Sequence, residues 1–344
     1  MSELVDAIEY YSEVDIDQFA SMPLPFLQQL KGLTVFDIKG ADQTRTRVVT
    51  TLIHGNEPSG FIACHQWLKS KKKPATNVRI IICNPEAAQT RPIFSNRYLA
   101  HSEDLNRFFD DSQSEESYRQ HQSVIERAKH IKQCINAVQP EAILDLHNTS
   151  GKSAAFGVSV HESEKVLDLV SFFSAKLIYT GLRVGAVMEQ DFNAPIVTIE
   201  CGGANESESH EVAVQGLEQY FSKPDIFDHH AGRVTIYAHP IRVELQQDAS
   251  VGFSHHCLPT THITFRADIE ELNHQQTTKG EFLGWCNSNK IPLSAIDENG
   301  VDRIDELLEL RGNSLFAKCD MQLFMVTTVL EIATNDCLFY ATKS

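Results

Sequence analysis

Arg47-Val-Val-Thr-Thr-Leu-Ile-His54-Gly-Asn-Glu57-Pro-Ser-Gly60 is the stretch whose reading decides the fold. Its first seven residues are rich in β-branched side chains and read as a buried strand. A turn follows, and Pro58 suits the first turn of a helix running to about Lys71. Downstream, Val78-Arg-Ile-Ile-Ile-Cys83 is a second strand that ends at Asn84-Pro85, and a polar, acidic helix covers Glu115 to Val138. Ala142-Ile-Leu-Asp-Leu146 and Pro195-Ile-Val-Thr-Ile199 are two more strands, with Phe156 to Val160 as another between them. Helical stretches lie near Glu162 to Ala175 and Ser209 to Phe221. This alternation predicts an α/β fold with a mostly parallel mixed sheet flanked by helices.

Upstream, residues 1–30 predict short helical segments interrupted by Pro23 and Pro25. After Lys223-Pro224 the texture changes. Arg233-Val-Thr-Ile-Tyr237 and Ile241-Arg-Val-Glu-Leu245 alternate in the manner of half-buried strands, and one helical stretch is expected near Asp302 to Leu310. The chain therefore divides into an α/β domain, 1–228, and a smaller β-rich domain, 229–344, expected to cap a site on the first.

The formal net charge of −16 argues against general affinity for nucleic acid or anionic membranes. An anionic substrate is still admissible, because distant exposed charges are damped within ~8 Å at physiological salt. Its pocket must then carry local cations. No apolar run approaches the ~20 residues that span a bilayer. The start, Met1-Ser-Glu-Leu-Val-Asp6, lacks the basic-then-apolar order of a signal peptide. Eight scattered cysteines without a CxxC pair point to reduced, mostly buried thiols and a cytoplasmic protein.

Three potent side chains stand at strand ends: His54 after Ile53, His147 after Leu146 and Glu200 after Ile199. Ligands of open α/β sheets bind beyond the carboxyl ends of the strands, so these three can converge. His54 and Glu57, three residues apart at a strand-to-helix turn, can face one ion, with His147 as third ligand. Two His and one Glu with an open position form a catalytic zinc arrangement. The plainer alternative is a helix N-terminal Glu and two hydrogen-bonded histidines. The pairs His229-His230 and His255-His256 read as surface or loop residues, since adjacent side chains in an extended chain point to opposite faces.

The pieces His54-Gly-Asn-Glu57, Asn84-Pro-Glu-Ala87, Arg97, Asp104-Leu-Asn106-Arg107-Phe108, Asp145-Leu-His147-Asn-Thr149 and Ile199-Glu200-Cys-Gly202 occur in one order across about residues 45–220. As a set they resemble the succinylglutamate desuccinylase/aspartoacylase family, relatives of the zinc carboxypeptidases. The resemblance implies one zinc ion per subunit held by His54, Glu57 and His147, with Glu200 as catalytic carboxylate. It further implies that Asn106 and Arg107 hold a substrate carboxylate while Arg97 polarises the scissile carbonyl. Guanidinium groups suit both tasks. The expected activity is hydrolysis of the amide bond of a small anionic N-acyl amino acid, and a homo-oligomer is left open. The competing readings are a carboxypeptidase-like enzyme acting on a peptide or cell-wall fragment, and a binding protein that keeps the fold without chemistry.

Overall fold

The computed structural model describes residues 8–12, 15–112, 114–227 and 233–343. The acidic start Met1–Asp6, the pair His229-His230 and the expected boundary at 228 lie outside the described residues. In chain order the large sheet and the helices beside it comprise β1 (Glu9–Tyr11), α1 (Pro23–Leu27), β2 (Thr34–Ile38), β3 (Asp42–Thr51), α2 (Ser59–Ser70), β4 (Thr76–Ile82), α3 (Pro85–Gln89) and α4 (Glu115–Asn136). Then follow β5 (Ala142–Thr149), β6 (Phe156–Ser159), α5 (Glu164–Ser171), β7 (Lys176–Tyr179), β8 (Ile196–Gly203), α6 (Ser207–Ser222) and β9 (Thr235–Ala238). The nine strands form one mostly parallel sheet in the order β1-β2-β4-β3-β5-β8-β6-β7-β9.

The centre of that sheet is its driest part. β5 and β8 are buried along their whole length, and β3 over its last five residues. β3 lies parallel to β4 on one side and to β5 on the other, with Val49 in register with Ile80 and Leu144. Burial of aliphatic side chains on both faces fixes this register, because a one-residue slip would exchange the two faces of every strand. α2 and α6 pack together on the sheet, where Trp67 meets Phe221 edge-to-face with ring centroids 5.0 Å apart.

Several expectations are adjusted. β5 runs on to Thr149 and β8 to Gly203, so His147 and Glu200 lie within the last residues of their strands rather than after them. β1 appears where only short helices were read, β2 occupies a stretch to which no element was assigned, and Pro23 begins α1 rather than interrupting a helix. β2 joins the sheet antiparallel to β4, a long-range pairing that local pattern does not announce.

The chain separates into two compact units. The second comprises Thr149–Ala154, Ile178–Leu182 and Ile236–Ser344. It holds two five-stranded antiparallel-rich sheets around a core that includes Val243, Ile263, Phe265, Leu293, Leu315 and Phe339. The helix expected over Asp302 to Leu310 shrinks to Ile304–Leu307. Leu308–Arg311 is instead a strand paired antiparallel to Ser314–Ala317. Gly312, at φ +66°, turns the chain between them, a conformation that glycine adopts without strain.

Candidate metal centre

β3 ends abruptly. Leu52 takes the left-handed conformation, φ 53°, and swings Ile53-His54 out of the strand. Such backbone costs a non-glycine residue on the order of 1–3 kcal/mol and clusters at functional sites. The turn closes when the Glu57 N–H donates to the His54 carbonyl at 3.2 Å. Two glycines permit its close packing. A Cβ on Gly55 would lie 2.5 Å from the Ala88 nitrogen, and one on Gly60 would lie 2.6 Å from the Leu146 Cβ. The Gly55 N–H also donates to the Arg97 carbonyl at 2.9 Å, which ties the turn to the segment after α3.

From this turn His54 and Glu57 meet His147 on β5. His54 Nδ1 lies 2.8 Å from Glu57 Oε1, and His147 Nδ1 lies 2.7 Å from Glu57 Oε2. The three donor atoms fall within 4.8 Å of one another, and all three residues are buried. Tetrahedral zinc, with bonds of ~2.1 Å to nitrogen and oxygen, spaces its ligands by roughly 3.4 Å, so the set has the right scale.

The far sides of both rings are also held. His54 Nε2 is 2.8 Å from Asp104 Oδ1, and His147 Nε2 is 2.7 Å from Asp145 Oδ2. Asp145 is fully buried and accepts from the Thr50 and Thr198 hydroxyls at 2.7 and 3.0 Å. A carboxylate behind each imidazole favours a proton on Nε2, the tautomer in which Nδ1 can serve a metal ion. Asp104 and Asp145 had no role in the sequence reading. Asp145 carried a signal, since residues two apart on a strand share a face. Asp104 carried none beyond its place beside Asn106.

Electrostatics follow from burial. Burial alone would raise the Glu57 pKa, yet the flanking His54 and His147 outweigh it and hold the carboxyl below its ordinary range. Burial opposes charge on His147, but Asp145 and Glu57 prevail and raise its pKa well above the usual histidine value. Glu200 goes the other way. Burial pushes its carboxyl up to about 7, against the pull of His147, His54 and Arg97. Its Oε2 is buried with no hydrogen-bond partner among the described residues. A buried carboxylate oxygen without a partner is costly unless a water, an ion or a ligand group satisfies it.

The expected substrate residues cluster nearby. Arg97 donates to Asp104 Oδ2 from Nε at 3.1 Å and from Nη2 at 2.9 Å, and to Glu57 Oε1 from Nη1 at 3.2 Å. Arg107 Nη1 lies 3.6 Å from the same Asp104 oxygen. Burial would raise the Asp104 pKa, but His54, Arg97 and Arg107 hold it far below the carboxylate range. Asn106 is buried, and its side-chain carbonyl accepts the Val187 N–H at 3.0 Å, which fixes the orientation of the amide. All seven expected site residues thus come into one neighbourhood. His255 and His256 are exposed.

The profile of the succinylglutamate desuccinylase/aspartoacylase catalytic domain matches residues 43–219, the segment that carries every one of these side chains. The chain belongs to this family. It is accordingly a hydrolase of the succinylglutamate desuccinylase/aspartoacylase type. No curated protein matches it in sequence. Among solved structures, succinylglutamate desuccinylase from Vibrio parahaemolyticus is similar with a TM-score of 0.60 at 16% identity, over 93% of this chain and 94% of that one. The corresponding protein from Chromobacterium violaceum gives 0.56 at 12% identity, over 95% and 98%. Murine aminoacylase 3 gives 0.53 at 16% identity, over 88% and 96%. At these identities the likeness is one of fold, and it covers both units. No described helix is long and apolar enough to cross a membrane.

Proposed function

We propose that this family member is a zinc-dependent deacylase that hydrolyses the linear amide bond of a small N-acyl amino acid. One observation carries the reading: both Nδ1 atoms face the two oxygens of one buried carboxylate, while both Nε2 atoms are held by Asp104 and Asp145. His54, Glu57 and His147 would hold one zinc ion, the metal favoured by two imidazoles and a carboxylate. Bound there, zinc supplies Lewis acidity that lowers the pKa of a water to about 7.

The protein's own groups do the rest. Glu200 takes a proton from the attacking water through Oε2, which has no partner among the described residues, and passes it to the leaving amine. The amide C–N bond breaks as the new C–O bond forms, giving a carboxylic acid and a free amine. Arg97, beside Glu57, faces the negative charge that grows on the carbonyl oxygen. Asn106 offers its amide N–H₂ and Arg107 its guanidinium to the substrate carboxylate, the local cations that a chain of net charge −16 must provide for an anionic ligand. All eight cysteines are free thiols and six are buried, which supports a cytoplasmic setting.

The test is to assay zinc-loaded protein with N-acetylaspartate, succinylglutamate and short peptides. Turnover of an N-acyl amino acid is expected, and Glu200→Gln should abolish it with the zinc content unchanged. Hydrolysis of peptides alone would favour the carboxypeptidase-like reading. A protein without affinity for zinc would end both.

A further inference from the structure

We propose that Asn148 is a positioning residue for the metal centre, whose carboxamide locks together the three segments that carry Glu57, His147 and Glu200. The inference rests on the metal-centre reading above and names a residue that touches neither metal nor substrate. Asn148 follows His147 directly and is buried on β5. Its Oδ1 accepts the Ser59 N–H at 3.0 Å. Its Nδ2 donates to Ser59 Oγ at 2.8 Å and to the Gly202 carbonyl at 3.0 Å. Ser59 is two residues beyond Glu57, and Gly202 is two residues beyond Glu200. A single planar group therefore ties the start of α2 to the ends of β5 and β8.

Each bond answers a local need. Ser59 is the first residue of α2, whose opening N–H groups have no partner inside the helix, and Pro58 supplies no side-chain cap. The Asn148 carbonyl caps that helix from a neighbouring strand. Ser59 Oγ, which accepts from Asn148, also lies 2.8 Å from His210 Nδ1. The Asn148 backbone N–H approaches Glu57 Oε2 at 3.3 Å and so bears on a ligand oxygen itself. Among side chains of this size only a carboxamide offers an acceptor and two donors in one plane. Aspartate has the same shape but no donor, and would set a negative oxygen against the Gly202 carbonyl.

The experiment measures zinc affinity of the full-length chain by competition with a chromophoric chelator, alongside thermal unfolding. Asn148→Asp should weaken zinc binding by roughly 10–100-fold, the range seen when groups that orient metal ligands are altered. A lower unfolding temperature with unchanged zinc affinity would overturn the proposal and leave Asn148 a merely structural residue. If Asn148→Asp does not fold, Ser59→Ala serves, because it removes only the hydroxyl between Asn148 and His210. A several-fold loss of zinc affinity is then expected, and none would refute the role. His147→Ala separates the two layers of the argument. If that variant binds zinc as wild type does, the metal-centre reading itself fails. If His147→Ala loses zinc while Asn148→Asp keeps full affinity, only the role of Asn148 falls.

Discussion

Two regions meet at the site, and they are built differently. The strand-end cluster is rigid and dry: the side chains of His54, Glu57 and His147 are 4%, 6% and 3% exposed. The cationic segment is a loop with one short 3₁₀ turn at Leu105–Arg107, and Arg97 and Arg107 are 24% and 31% exposed. A metal site would tolerate little displacement of its ligands, and these three residues stand at or just beyond the ends of buried strands. A substrate must enter and leave, so the groups that would hold it stand on a loop positioned by the sheet. Asp104 is the joint between them, since one carboxylate serves both His54 and Arg97. Variants in each region should thus fail in different ways.

The largest effect is expected from His147→Ala. It removes a ligand and strands Asp145 and Glu57 as buried carboxylates without their common partner. Breaking a buried charge pair from one side costs about 3–5 kcal/mol. Chemical unfolding should show that loss, and metal analysis should show zinc gone. Full stability would mean that the strand-end cluster is not the interlocked unit described here. Next in size is Asp104→Asn, which keeps the shape of the joint but not its charge. Zinc affinity should fall roughly 10–100-fold, and KM for an acyl amino acid should rise as Arg97 and Arg107 lose their anchor. A change in one quantity without the other would show that the two regions act separately.

Arg107→Ala probes the loop alone. A charge-assisted hydrogen bond contributes about 1.5–3 kcal/mol, so kcat/KM should drop by roughly 10–150-fold, with zinc content and unfolding temperature unchanged. Loss of zinc in this variant would make the loop part of the metal site and erase the contrast.

What was legible in the sequence follows the same division. Strands such as Val48-Val-Thr-Thr51 and Ile80-Ile-Ile82 advertise themselves because burial on both faces demands β-branched side chains. Their ends carry His54 and His147, so the candidate metal residues could be named from position and residue type. The family resemblance supplied the roles proposed for Arg97, Asn106 and Arg107; spacing alone did not. Asp104 and Asp145 went unassigned because their work lies in which nitrogen of which ring they hold. Asn148 was hidden for the same reason, since its partners Ser59 and Gly202 are distant in sequence. The strand Leu308–Arg311 was read as helix because its partner strand and the turn at Gly312 decide its conformation, not its own pattern.

The smallest effect tests how the loop is held. Lys132 on α4 donates to the Phe109 carbonyl at 3.1 Å, to Asp111 Oδ1 at 2.7 Å and to Gln190 Oε1 at 3.1 Å. Beside it the Phe109 N–H donates to the Gly185 carbonyl at 3.0 Å, and Val187 orients Asn106. The chain on either side of Arg107 is thereby fastened to the segment 185–190 by a few polar bonds rather than by a sheet. Lys132→Met keeps the aliphatic stem and deletes the ammonium. Three bonds go with the ammonium, and a part of their sum on the order of 1 kcal/mol felt at Arg107 corresponds to a rise of about five-fold in KM. kcat and zinc content should stay as they are, because neither Glu200 nor the ligands lean on this lysine. Steady-state kinetics with metal analysis reads both. An unchanged KM would show that the loop holds its cations in place without help from α4, and a fall in kcat instead would mean that the loop and the strand-end cluster move together.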